Sequence, residues 1–169
     1  MTGKLLGVLL IGAVSLYTGG AFVSLWQRRV EQLAAFCRLL GALEDGIGVM
    51  GLSIGEILGQ FSDDTLEKTG FLPLVRRILD DNPTGDAPGD AFAVCRTRLA
   101  LEDEDCALLR QFFVRIGTED RVREQERCAY VRARLHTLCT EAESALPARC
   151  RIARTLAGAF GCAAALMLL

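Results

Sequence analysis

The first fifty residues constrain this chain most, because they begin as an apolar run and continue as an amphipathic one. Residues 5–26 hold 22 positions without a formal charge. As a helix rising about 1.5 Å per residue, such a run covers a hydrocarbon core of about 30 Å. Arg28 and Arg29 follow, and Leu33, Phe36, Leu40, Leu43, Ile47 and Met50 then recur at steps of three and four. That spacing lays one apolar face along a helix that needs protein neighbours. The apolar run is longer than a usual signal core and no Ala-x-Ala site follows it, so an uncleaved anchor is favoured. Two arginines after the run against Lys4 before it place the N-terminus outside and the following domain in the cytoplasm.

The end of the chain has a similar plan. Arg149, Arg151 and Arg154 precede residues 155–169, which carry no formal charge. The run is short, but Ile152 and Ala153 extend it and Arg154 can snorkel. A second transmembrane helix is preferred over a buried helix, with Gly158, Gly161 and neighbouring alanines offering a small-residue surface for close packing in lipid. Trp26, Arg28, Arg29, Arg149, Arg151 and Arg154 are then the expected membrane-interface residues. The expected division is an anchor over residues 1–27 continuing into the first bundle helix, a cytoplasmic bundle over 28–148, and a basic turn with a C-terminal transmembrane helix over 149–169.

Between these ends the patterning is helical throughout. Gly46, Gly48, Gly51 and Gly55 should end the first helix between residues 46 and 51, since each glycine inside a helix costs up to about 1 kcal/mol relative to alanine. Ser53 and Glu56 have capping-box spacing, with Ile54, Ile57, Leu58 and Phe61 expected inward. Pro73 suits a first helical turn, and Phe71, Leu72, Val75, Ile78 and Leu79 are available for a core. Residues 80–89 form the clearest loop, rich in turn formers. Phe92, Cys95 and Leu99 outline a further helix, and the acidic residues 102–105 suit the start of the next. That one carries Cys106, Leu109, Phe113 and Ile116 inward and should stop at Gly117. Thr118 is the expected cap of a long last bundle helix, on which Cys128, Val131, Leu135, Leu138, Ala142 and Ala145 form a seam. Two antiparallel helices packing in one bundle account for this seam and the first. Pro147 should break or kink the helix. The fold class is therefore all-α: a cytoplasmic bundle of about five to six helices, flanked by N- and C-terminal transmembrane helices.

Charge and chemistry exclude several classes. A net charge of −2 with no evidently basic face does not point to nucleic acid. Residues 62–105 hold 11 acidic against five basic residues, a solvated face or a docking surface for a basic partner. Seven cysteines stand without a Cys-x-x-Cys pair, so reduced thiols in small apolar positions are expected rather than a disulfide framework. His136 and Cys139 are one turn apart, but two ligands without a second pair do not make a zinc site. No phosphate-binding glycine loop, nucleophile elbow or HExxH sequence occurs. No enzyme activity, cofactor or metal is expected.

Several local sequences carry a resemblance. They are Leu43-Glu44 with Ile47, then residues 51–56 reading Gly-Leu-Ser-Ile-Gly-Glu; residues 108–117 reading Leu-Leu-Arg-Gln-Phe-Phe-Val-Arg-Ile-Gly; Asp120 three residues later; and residues 156–161 reading Leu-Ala-Gly-Ala-Phe-Gly. In this order the chain resembles the stage III sporulation protein AB family of endospore-forming bacteria, over essentially its whole length. That family has glutamine four residues after the aspartate, where this chain has Glu124, with Gln125 one later. The resemblance implies a non-catalytic platform or coupling subunit of a channel-like secretion complex in the mother-cell membrane facing the forespore. The family is similar to the inner-membrane platform proteins of type II secretion and type IV pilus systems. The implied partners are a secretion-type cytoplasmic ATPase and other membrane subunits; apart from the resemblance, an intermolecular coiled coil of the seams, giving a homo-oligomer, is the alternative to packing within one bundle. Docking would use exposed charge on helices around residues 103–134, with Gly117, Asp120, Arg121, Arg123, Glu124, Gln125 and Arg127 as candidates. Helix termination and capping are the structural alternatives for Gly117 and Asp120. The competing functional reading is a membrane-tethered helical regulator or adaptor in a signalling pathway.

Overall fold

The computed structural model describes residues 2–81 and 87–168, with the side chains of residues 2–22, 153–154, 156–157 and 160–168 outside that description. Among the described residues the fold is entirely helical. It comprises α1 (Thr2–Asp45), a π-helical turn (Gly46–Met50), α2 (Ile54–Gln60), α3 (Asp64–Thr69), α4 (Phe71–Asp81), α5 (Ala87–Cys95), a 3₁₀ turn (Arg96–Arg98), α6 (Asp103–Arg115) and α7 (Arg121–Leu168).

The chain divides into two compact units, Arg29–Thr140 and a second made of Met1–Arg28 with Glu141–Leu169. In the unit Arg29–Thr140, α1 and α7 run antiparallel. Cys139 lies near the Val30 carbonyl, Arg132 packs against Gly41 and pairs with Glu44, and Gln125 covers Gly48. The seams meet as their spacing predicts. Leu33, Phe36, Leu40 and Leu43 are fully buried on α1, as are Cys128 and Leu135 on α7. Met50 departs from the pattern at 67% exposure. The π turn is the cause, since its wider winding advances the phase and carries Met50 off the seam.

The shorter helices wrap an aromatic centre. Phe36 of α1, Phe71 of α4, Phe92 of α5 and Phe113 of α6 all touch one another, with ring centroids 5.3–6.4 Å apart, and Phe112 joins through Phe113. Edge-on pairs such as Phe36 and Phe71 add about 0.5–1.5 kcal/mol each beyond area burial. Local capping fixes where the helices start. Ser53 and Glu56 form the expected reciprocal box, with the Ser53 N–H donating to Glu56 at 2.8 Å. Asp63 accepts the N–H groups of Thr65 and Leu66 at the start of α3 and holds Arg38 of α1 at 2.6 Å.

An ion cluster joins α1 to α6. Arg29 donates to both oxygens of Asp105 at 2.8 and 3.1 Å and lies 2.5 Å from Glu102, while the Glu102 N–H donates to Asp105 at 3.0 Å. Asp105 is fully buried and Arg29 is 9% exposed. Burial disfavours the Arg29 charge, yet its hydrogen bonds to Asp105 and the charges of Asp105, Glu102 and Glu104 hold its pKa above the ordinary value. Arg29 is thus a core ion-pair residue, where its place after an apolar run had pointed to an interface.

Other boundaries also shift. Asp80 and Asp81 still belong to α4, and Ala87 to Gly89 already belong to α5. The remainder of the expected loop, residues 82–86, lies outside the described residues. Asp120, rather than Thr118, caps α7: it accepts the Arg123 N–H at 3.1 Å, while the Thr118 hydroxyl donates to the Arg115 carbonyl. Pro147 does not end α7, which continues through it to Leu168.

In the second unit the guanidinium of Arg149 stands over the Trp26 ring, 5.8 Å from its centroid. Arg28 and Arg151 are exposed. The Arg154 side chain and those of both expected spans, apart from a few flanking positions, lie outside the described residues. Among the described residues no helix is long and apolar enough to cross a membrane.

Candidate docking site at the Gly117 turn

The reversal from α6 to α7 is built around one carboxylate. Gly117 adopts φ +86°, the left-handed conformation that ends a helix and that residues bearing a Cβ resist. Its N–H donates to Glu124 Oε1 at 2.9 Å, and the Glu119 N–H donates to the same oxygen at 3.2 Å. Arg127 Nη1 stands 3.3 Å from that oxygen, donates to the Arg115 carbonyl at 2.9 Å, and a second nitrogen of Arg127 pairs with Glu119. The loop N–H groups and a final carbonyl of α6 are therefore satisfied from the first two turns of α7. Glu124 is 3% exposed, and its other oxygen, Oε2, has no hydrogen-bond partner.

A second brace closes the end of α1. Arg121 Nε donates to the Ile47 carbonyl at 2.5 Å, placing a cation where the π turn presents carbonyls. Gly51 follows at φ +70°, and a Cβ there would overlap the Arg121 guanidinium. Gln125 lies over Gly48, where a Cβ would likewise collide with its amide. Cys128, one turn further along α7, is fully buried, and burial together with the charges of Glu124 and Glu44 pushes its thiol up to about 12. It is an inert packing group.

The structure brings all seven candidate residues to one region and separates their roles. Gly117, Glu124 and Arg127 build the turn, Asp120 caps α7, and Arg121 and Gln125 clamp the π turn. Of the three arginines Arg123 braces neither helix end, with a side chain 72% exposed and a 4.0 Å approach to Asp120. Sequence reasoning missed the apolar residues presented beside it. Val49 is 80% exposed, Met50 67% and Val122 63%. Arg121 bonds the π turn and precedes Val122, so these residues occupy the same end of the Arg29–Thr140 unit. Val122 and Arg123 also fall off the α7 seam, a signal available in the periodicity.

The family description stage III sporulation protein AB matches residues 4–169 of the chain. No curated protein and no solved structure matches it.

Proposed function

The chain belongs to the stage III sporulation protein AB family, which makes it a sporulation-associated protein, and we propose that it is a non-catalytic platform subunit of a channel-like secretion complex. In this reading both apolar ends cross the mother-cell membrane facing the forespore. The Arg29–Thr140 unit lies in the cytoplasm and docks the complex's ATPase, with other membrane subunits as neighbours. The observation that carries the docking is the exposed group Val49, Met50, Val122 and Arg123, held on a frame braced by Arg121, Glu124 and Arg127. Exposed apolar side chains beside an exposed cation are the composition of an interface centre with a charged rim.

The test is co-purification of the full chain, in detergent, with the secretion-type ATPase of the proposed complex. Met50→Asp with Val122→Asp should abolish capture while far-UV circular dichroism stays unchanged. Capture at the wild-type level would overturn the docking assignment. Reversing Arg121 or Arg127 is the wrong probe, because both side chains close helix ends. For the anchors, reporter fusions at the two termini should both register outside the cytoplasm; a cytoplasmic C-terminus would end the two-span assignment.

A further inference from the structure

We propose that an open groove along the outer face of α6 receives an acidic amphipathic helix of a partner protein. The groove has a volume of about 510 Å³, and its lining includes Ala107, Arg110, Val114 and Arg115 of α6, Arg96 from the 3₁₀ turn and one acidic residue, Asp103. The α6 residues fall at positions recurring over about two helical turns, a strip about 12 Å long. Leu109, Phe112 and Phe113 bury the opposite face of α6 in the aromatic centre, so this strip is held facing outward.

Its chemistry selects the occupant. Among the described residues the side chains of Arg110 and Arg115 form no ion pair, and Arg96 pairs with Asp103 at 3.2 Å and bonds the Cys106 side chain. The Asp103 side chain is fully exposed, so water screens that pair and an incoming carboxylate can replace it. Between the cations lie Ala107 and the half-exposed Val114, an apolar strip for a leucine or isoleucine. Arg110 and Arg115 stand about 7.5 Å apart along the helix axis, a spacing met by carboxylates about one and a half turns apart on a facing helix. Charge also sets a direction. At the start of α6 the groove carries the exposed Asp103 and at its end Arg115, so the acidic end of the partner helix lies toward Arg115. The groove is distinct from the Val49, Met50 and Val122 group, and the assignment stands whether or not that group binds an ATPase.

The test uses the full chain in detergent and a labelled synthetic helix of about four turns, with leucines on one stripe and glutamates flanking it. A copy with lysine at every glutamate is the control. Fluorescence anisotropy should give binding in the range of tens of micromolar for the acidic peptide and at least ~10-fold weaker binding for the basic one. Arg110→Glu with Arg115→Glu should reverse that preference. Equal affinity for both peptides, a preference untouched by the reversal, or no binding below about 1 mM would overturn the proposal. If the double reversal lowers helicity, Arg110→Gln with Arg115→Gln replaces it. That variant must then remove the preference for the acidic peptide without inverting it.

Discussion

Glu124 shows how much one side chain decides at the α6 to α7 turn. One oxygen takes the Gly117 and Glu119 N–H groups and faces Arg127, so truncation strands two backbone donors and a partly buried guanidinium. Glu124→Ala should cost about 3 kcal/mol, read as a lower urea midpoint at unchanged slope. Glu124→Gln should cost less than half of that, because its carbonyl keeps the two N–H bonds. The sequence offered Glu124 beside Gly117 and Asp120 only as a docking candidate; its place as the centre of the turn was not legible, since an acidic residue in a first helical turn reads as an ordinary dipole partner until the loop folds back onto it.

A second prediction at this scale concerns acid. Burial favours the protonated form of Asp63, but the Arg38 hydrogen bond, the Leu66 and Thr65 N–H groups and the Arg38 charge outweigh it and hold its pKa below the usual range. The folded value being the lower one, Asp63 contributes stability in full above its unfolded value of about 3.9. That contribution is lost as pH falls through the folded value. Asp63→Asn should therefore flatten the fall in stability below about pH 4, measured by denaturant midpoints across that window.

Among the elements, contact between α1 and α6 depends on a polar pair as well as on the phenylalanines. Asp105→Ala should destabilise by about 3 kcal/mol, because it removes both Asp105 hydrogen bonds from the buried Arg29 and leaves it to the half-exposed Glu102. Arg29→Met combined with Asp105→Leu should recover most of that loss, and a double-mutant cycle from urea unfolding measures the coupling. A cycle with no coupling would assign the cost to packing alone. Phe36→Ala removes a ring that touches three others and should cost about 3–5 kcal/mol with no rescue by charge. The two seams were legible because a helical period of three and four leaves a repeating trace in sequence. The Arg29 to Asp105 pair was not, because its members are 76 positions apart and each has a plausible local reading. Met50 was misplaced for a different reason: an unbroken helical phase does not anticipate a π turn.

For the whole molecule, the all-α class followed from periodicity in every segment, and the antiparallel α1 and α7 from two matching seams. Helices of 44 and 48 residues far exceed the usual length of a globular helix. Only the parts of them that carry a seam can draw stability from the Arg29–Thr140 unit. That unit holds the aromatic centre, the Arg29 to Asp105 pair, the Gly117 turn and the α6 groove, so it contains the contacts that the docking surfaces require. A fragment limited to residues 29–140 should therefore fold alone as a helical domain and melt in one transition, with calorimetric and van't Hoff enthalpies equal. Starting the fragment at Leu33 removes Arg29 and should lower its stability by about 3–5 kcal/mol, because Asp105 is then buried without its partner. Low helicity or gradual melting of the 29–140 fragment would show that residues outside it are needed to complete the fold.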